Sequence, residues 1–88
     1  MYMEKRLTEL LPGDRAVINR IELASNEMIR LRDLGLGEGI SIRVVRYAPF
    51  GDPIEVKFRG FHLSIRKAIA RHILVTDESK VADEVIAF

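Results

Sequence analysis

The sequence predicts a mainly β domain: a small, closed or nearly closed antiparallel barrel of about five short strands, crossed by one α-helix and joined by short helical turns. The hairpin centred on Arg59-Gly60 is the first reason. Ile54, Val56 and Phe58 alternate with Glu55, Lys57 and Arg59, and the alternation resumes in Phe61, Leu63 and Ile65. With Arg59-Gly60 as the turn, Phe58 faces Phe61, Val56 faces Leu63 and Ile54 faces Ile65, all on one apolar face. Lys57 beside His62 and Glu55 beside Ser64 make the wet face. The second reason is the run LRDLGLGEG at residues 31–39, a helix end passing into a tight connection. The third is Ile40, Ile42 and Val44 alternating with Ser41, Arg43 and Val45 at the strand period. A hairpin and short links disfavour parallel βαβ folding.

Taken in order, Leu7, Leu10 and Leu11 make an apolar turn that Pro12-Gly13-Asp14 breaks. Residues 15–21 read as a strand, with Ala16, Val17, Ile18 and Ile21 on both parities, as in a strand covered on both sides. Ser25 is placed to cap a helix with Glu27 in its first turn and an apolar stripe of Met28, Leu31 and Leu34; Arg30, Arg32 and Asp33 fall off the stripe. Gly35 past the helix end allows a left-handed stop, with Leu36 packing back on Leu31. Gly37 and Gly39 bracket Glu38, and Pro53 opens the second strand, where proline is tolerated. Residues 66–71 have room for one or two helical turns with Ala68 and Ile69, and residues 72–76 (HILVT) for a last strand. Residues 1–76 form the domain. In the tail, 77–88, Val81, Ala82, Val85 and Ile86 suit one helical face, while EVIAF also suits an added strand.

Composition narrows the function classes. A chain of 88 residues supports one compact core and little room for a large enzyme cleft. It has no cysteine, hence no disulfide, thiolate metal site or cysteine nucleophile. The N-terminus lacks the ~7–15-residue apolar run of a signal peptide, and no run approaches the ~18–20 apolar residues of a membrane span. A cytoplasmic, soluble protein is expected. Net charge is +1, from 14 basic and 13 acidic residues, which gives no strong reason to gather on nucleic acid.

Each candidate site has an ordinary structural explanation. The GLGEG run at residues 35–39 follows a helix and precedes a strand, the reverse of a nucleotide fingerprint, and lacks GK[ST]. His62 and His72 are the chain's histidines and stand as weak candidate metal ligands, with no four-ligand zinc spacing around them. Asp52, Glu55, Asp77, Glu78, Asp83 and Glu84 lack EF-hand spacing. Ser41, Ser64, His62 and Asp52 form no nucleophile elbow, so no catalytic residue is expected. The basic residues are interleaved with acidic ones, as on solvated strand faces. Tyr47 and Phe50, on a connection, suit either a partner contact or a clamp on the core.

Three blocks, LxELxPGD at residues 7–14, LRDLGLGEG at 31–39 and PFGDPIEVKFRGFHLSIRKAIARHILV at 49–75, together resemble the FeoA family, small cytosolic proteins of bacterial ferrous iron transport. The resemblance implies an SH3-like barrel and a non-enzymatic accessory role toward FeoB, the membrane permease with a cytoplasmic GTPase domain. A similar domain closes iron-dependent repressors, which leaves an iron-sensing module that binds metal directly as the alternative. The matching positions Leu31, Leu34, Gly35, Gly39, Pro53 and Gly60 specify the barrel. Glu27, Arg30 and Asp33 on the polar side of the helix, with Tyr47, Phe50 and Asp52 on the loop, are the candidate FeoB contacts. No tightly bound cofactor is expected, Fe²⁺ being at most a weak or transient ligand. Nucleic acid is not an expected partner, and the apolar tail leaves homo-oligomers open.

Overall fold

The hairpin register expected from the alternation is the register observed. In the computed structural model, which describes residues 4–78, Ile54–Phe58 and Phe61–Ile65 pair antiparallel with Phe58 opposite Phe61, Val56 opposite Leu63 and Ile54 opposite Ile65. Arg59 and Gly60 take φ of +50° and +82°. Positive φ at both centres gives the backbone twist that matches two right-twisted strands. Ile54, Val56, Phe58 and Ile65 are buried and Leu63 packs against them. Phe61 is 58% exposed at the hairpin tip, its ring 6.2 Å from that of Phe58.

The strands are β1 (Glu4–Arg6), β2 (Arg15–Ile21), β3 (Ser41–Tyr47), β4 (Ile54–Phe58), β5 (Phe61–Ile65) and β6 (Ile73–Asp77); the helices are α1 (Asn26–Asp33) and the single-turn α2 (Lys67–Ala70). They form one six-stranded sheet, β1-β6-β2-β3-β4-β5, every pairing antiparallel. Two expectations are corrected here. The strands among the described residues number six where about five were expected, because Glu4–Arg6 pairs with Leu74–Thr76 without an apolar residue to announce it. Among the described residues the sheet is not closed: β1 and β5 are its two ends and do not pair with each other.

Backbone irregularities explain the mixed parity of β2. Its register against β6 shifts between Ile18 and Arg20, so Asn19 is an extra residue and the inward parity changes there. Ala16 and Ile18 are buried ahead of the shift, and Ile21 packs on the core after it. A bulge, not burial on both faces, produces the pattern. The same device acts in β3, where a shift between Val44 and Arg46 turns Tyr47 onto the core side opposite buried Ile54.

Helix α1 begins as expected: Ser25 Oγ accepts the Met28 amide at 3.1 Å. It ends in a Schellman stop, with Gly35 at φ +103°, the Leu36 amide donating to the Leu31 carbonyl at 3.0 Å and the Gly35 amide to that of Arg32 at 2.9 Å. Leu36 is thereby drawn into the core beside Met28 and Leu31. A 3₁₀ turn over Leu7–Glu9 buries Leu7 and the following Leu10, while Leu11 is exposed instead of joining them. Asp14 closes the adjacent turn, accepting the Leu11 amide at 2.8 Å. The tail beyond residue 78, read above as helix or strand, lies outside the described residues.

Candidate partner-docking site

One end of α1 leaves the core and becomes the wall of a groove. Along its apolar stripe, exposure rises from 1% at Met28 to 9% at Leu31 and 48% at Leu34. Leu31 and Leu34 then line an external groove of about 370 Å³ with Leu63 and Ile65 of β5, Ile69 of α2 and the polar rim Glu27, Arg30, Ser64 and Arg66. An apolar floor with opposite charges at its edge suits a partner side chain entering from outside.

Helix α2 joins this groove to the loop between β3 and β4. The Lys67 amide donates to Asp52 Oδ1 at 3.0 Å, so the loop carboxylate caps a turn that lacks its own side-chain cap. Lys67 Nζ lies 5.5 Å from the centre of the Tyr47 ring. Tyr47 is held in turn by its hydroxyl, which donates to the carbonyls of Leu10 and, at 3.3 Å, Thr8. Burial, and then the Asp14 carboxylate, push the Tyr47 pKa above the ordinary tyrosine value. Phe50, at the loop tip, is 99% exposed.

The six residues expected to meet a partner therefore fall into distinct settings. Glu27 and Arg30 stand on the groove rim. Asp33 is exposed on α1 but lies off the groove. Tyr47 and Asp52 clamp the loop and α2 together, and Phe50 is presented by that clamp. Sequence reasoning missed Leu63, Arg66 and Ile69 and gave Leu34 a purely structural part. The available signal was an apolar residue left over at each of three elements, Leu34 at α1, Leu63 on β5 and Ile69 on α2, which only the tertiary approach of these elements turns into one surface. Of the glycines and the proline expected to specify the barrel, Gly39 and Gly60 have φ of +82°, and Pro53 precedes the first residue of β4.

The weak metal candidates lie apart from this groove. His62 is exposed opposite Lys57, and His72 Nε2 accepts from Arg71 Nε at 3.3 Å. Among the described residues no group of three His, Cys, Asp or Glu side chains converges. No helix of the described residues is long and apolar enough to cross a membrane.

These features define a small antiparallel β domain that offers an external groove and a loop tip. The comparisons with known proteins identify the group. The FeoA domain family model matches residues 5–77, and the chain belongs to the FeoA family. A curated Fe(2+) transport protein A/Fe(2+) transporter FeoB fusion protein from Porphyromonas gingivalis is 37% identical over 70 residues, covering 80% of this chain. The chain spans only 8% of that fusion protein's length. Among solved structures, the FeoA protein of Chlorobium tepidum is 41% identical with a TM-score of 0.79, over 83% of this chain and 70% of that one. Stenotrophomonas maltophilia FeoA complexed with zinc, described as a procaryotic SH3 domain protein, is 31% identical with a TM-score of 0.67, over 81% and 88% of the two chains. A manganese-dependent transcriptional repressor, at 24% identity and a TM-score of 0.74 over 84% of this chain and 36% of its own, shares the fold. The architecture is thus SH3-like, with an open sheet.

Proposed function

We propose that this chain is a non-enzymatic accessory protein of bacterial ferrous iron uptake, which works in the cytoplasm by docking on FeoB through the α1–α2 groove and the Phe50 loop. The observation that carries this reading is the natural fusion of a FeoA-type domain to FeoB in one polypeptide. A covalent link, where it is short, supplies an effective concentration on the order of millimolar. Fusion therefore suits two domains whose contact is useful but weak, as a groove of about 370 Å³ beside one exposed aromatic would make it. Fe²⁺ is then the cargo of the larger partner, and this chain holds it at most transiently.

Co-purification of the tagged chain with its host's FeoB, together with anaerobic ⁵⁵Fe²⁺ uptake, tests the proposal. Leu34→Asp and Arg66→Glu are expected to abolish co-purification while leaving the melting temperature nearly unchanged, because both side chains are exposed. Normal uptake in a deletion strain under iron limitation overturns the role. Undiminished co-purification of both variants overturns the surface.

A second reading, direct metal sensing, draws on the zinc complex of the Stenotrophomonas relative. In this chain His62, His72 or an exposed carboxylate would be the donors. Stoichiometric micromolar Fe²⁺ binding in anaerobic calorimetry would favour it over docking alone.

A further inference from the structure

The outer face of the sheet carries two neighbouring cross-strand rows of opposite design. In one, Arg46 of β3 lies opposite Glu55 of β4, which lies opposite Ser64 of β5, and the Arg46 guanidinium is ion-paired with the Glu55 carboxylate. In the next, Arg15 of β2 lies opposite Arg43 of β3, Arg43 opposite Lys57 of β4, and Lys57 opposite His62 of β5. All four are exposed. No ion pair or hydrogen bond engages the Arg15, Arg43 or Lys57 side chain among the described residues. Like charges set directly opposite each other cost a sheet stability, and this row places three together where its neighbour pairs them.

The row borders a shallow cleft of about 360 Å³, closed by Arg59 at the hairpin turn and by Ser41. Ser41 Oγ donates to the Glu78 carboxylate at 2.9 Å, so an acidic side chain already sits at the margin of this cleft. We propose that the Arg15–Arg43–Lys57 row is a docking site for an acidic helical segment of a protein partner, on a surface separate from the α1–α2 groove. Neighbouring strands lie ~4.8 Å apart, and one helical turn rises ~5.4 Å. Carboxylates three and four residues apart on a helix laid across the strands therefore meet one cation per strand. A nucleic acid is the poorer fit. The chain's net charge is only +1, and the row has no stacking platform, since Phe58 is buried and Phe61 belongs to the opposite face.

Fluorescence anisotropy tests this on the full chain with a labelled peptide of Glu-Ala-Ala-Glu repeats, run beside oligothymidylate and phosphatidylserine vesicles. The peptide is expected to bind, and to lose ~tenfold or more in affinity between low and physiological salt. Arg43→Ala with Lys57→Ala should remove that binding, whereas Arg46→Ala in the paired row and Leu34→Asp in the groove should leave it within about twofold. The double variant should melt at or above the wild-type temperature, because like-charge repulsion is relieved. A Lys-Ala-Ala-Lys peptide on the unmodified chain should not bind. Peptide affinity unchanged in the double variant overturns the proposal, as does equal loss in Arg46→Ala, binding of the lysine peptide, or tighter binding of oligothymidylate or vesicles.

Discussion

The apolar stripe of α1 and the apolar face of the β4–β5 hairpin both run from core to surface, but they emerge on different terrain. Leu34, at the helix end, comes out in a concavity that Leu63 and Ile69 share. Phe61, at the strand end, comes out at a hairpin tip where its one ring contact is Phe58. Periodicity therefore tells which face a side chain is on, while the neighbouring elements decide whether its exposed end is concave or convex. A concave apolar end is a place to be filled by another molecule. A convex one is the ordinary consequence of a short domain running out of core.

The comparison is sharpest where the buried ends are cut back. Ile54→Ala should lower unfolding free energy by about 2–5 kcal/mol in urea melts, since a fully buried isoleucine loses both transfer energy and packing. Leu34→Ala, half in water, should cost less than ~1 kcal/mol. Equal losses at the two sites would mean the helix end is as much core as the hairpin. Next in size is Gly35→Val, expected to cost more than ~1 kcal/mol because a β-branched residue resists φ of +103°. The nearest obstacle to a Cβ there is the movable end of Arg59, 3.1 Å away, so the penalty is one of backbone conformation. An unchanged melting temperature would detach the helix stop from the position of Leu36 and of the groove wall.

Tyr47 offers a test that depends on pH. Its neutral form is favoured in the folded chain, so the stabilisation is fully present below the unfolded tyrosine pKa of about 10 and is lost as pH rises through the higher folded value. Tyr47→Phe should cost about 1 kcal/mol at neutral pH, from the hydroxyl's hydrogen bonds to the 3₁₀ turn. It should also flatten the alkaline limb of the stability profile. An unaltered alkaline limb would mean that another group governs it.

Much of the fold was readable because its determinants are local. The β4–β5 register follows from alternation and a turn that are adjacent in sequence, and the α1 boundaries follow from Ser25 and Gly35. What escaped was non-local. Strand β1 is three residues, two of them exposed, and pairs by backbone with a partner some seventy residues away, as Glu4 opposite Thr76 illustrates. The extra residue in β3 that turns Tyr47 inward leaves no mark on composition, so Tyr47 read as a loop residue with two open fates. The groove needed α1, β5 and α2 together. Glu27 and Arg30 were within reach of helix periodicity, but Ile69 on its single turn was not.

The smallest expected effect separates the two exposed ends most directly. Leu34→Asp and Phe61→Ser should each change stability by no more than about 0.5–1 kcal/mol, the second through loss of the Phe58–Phe61 ring contact. Their effects on a partner should diverge. A carboxylate at Leu34 places a charge on the apolar floor beside Glu27, where a docked side chain would have to desolvate it. A serine at Phe61 alters a tip outside the α1–α2 groove. Co-purification with FeoB should accordingly fail for Leu34→Asp and persist for Phe61→Ser. The reverse result would transfer the docking surface from the helical side of the domain to the hairpin, with the concave end of the stripe reduced to unfilled core.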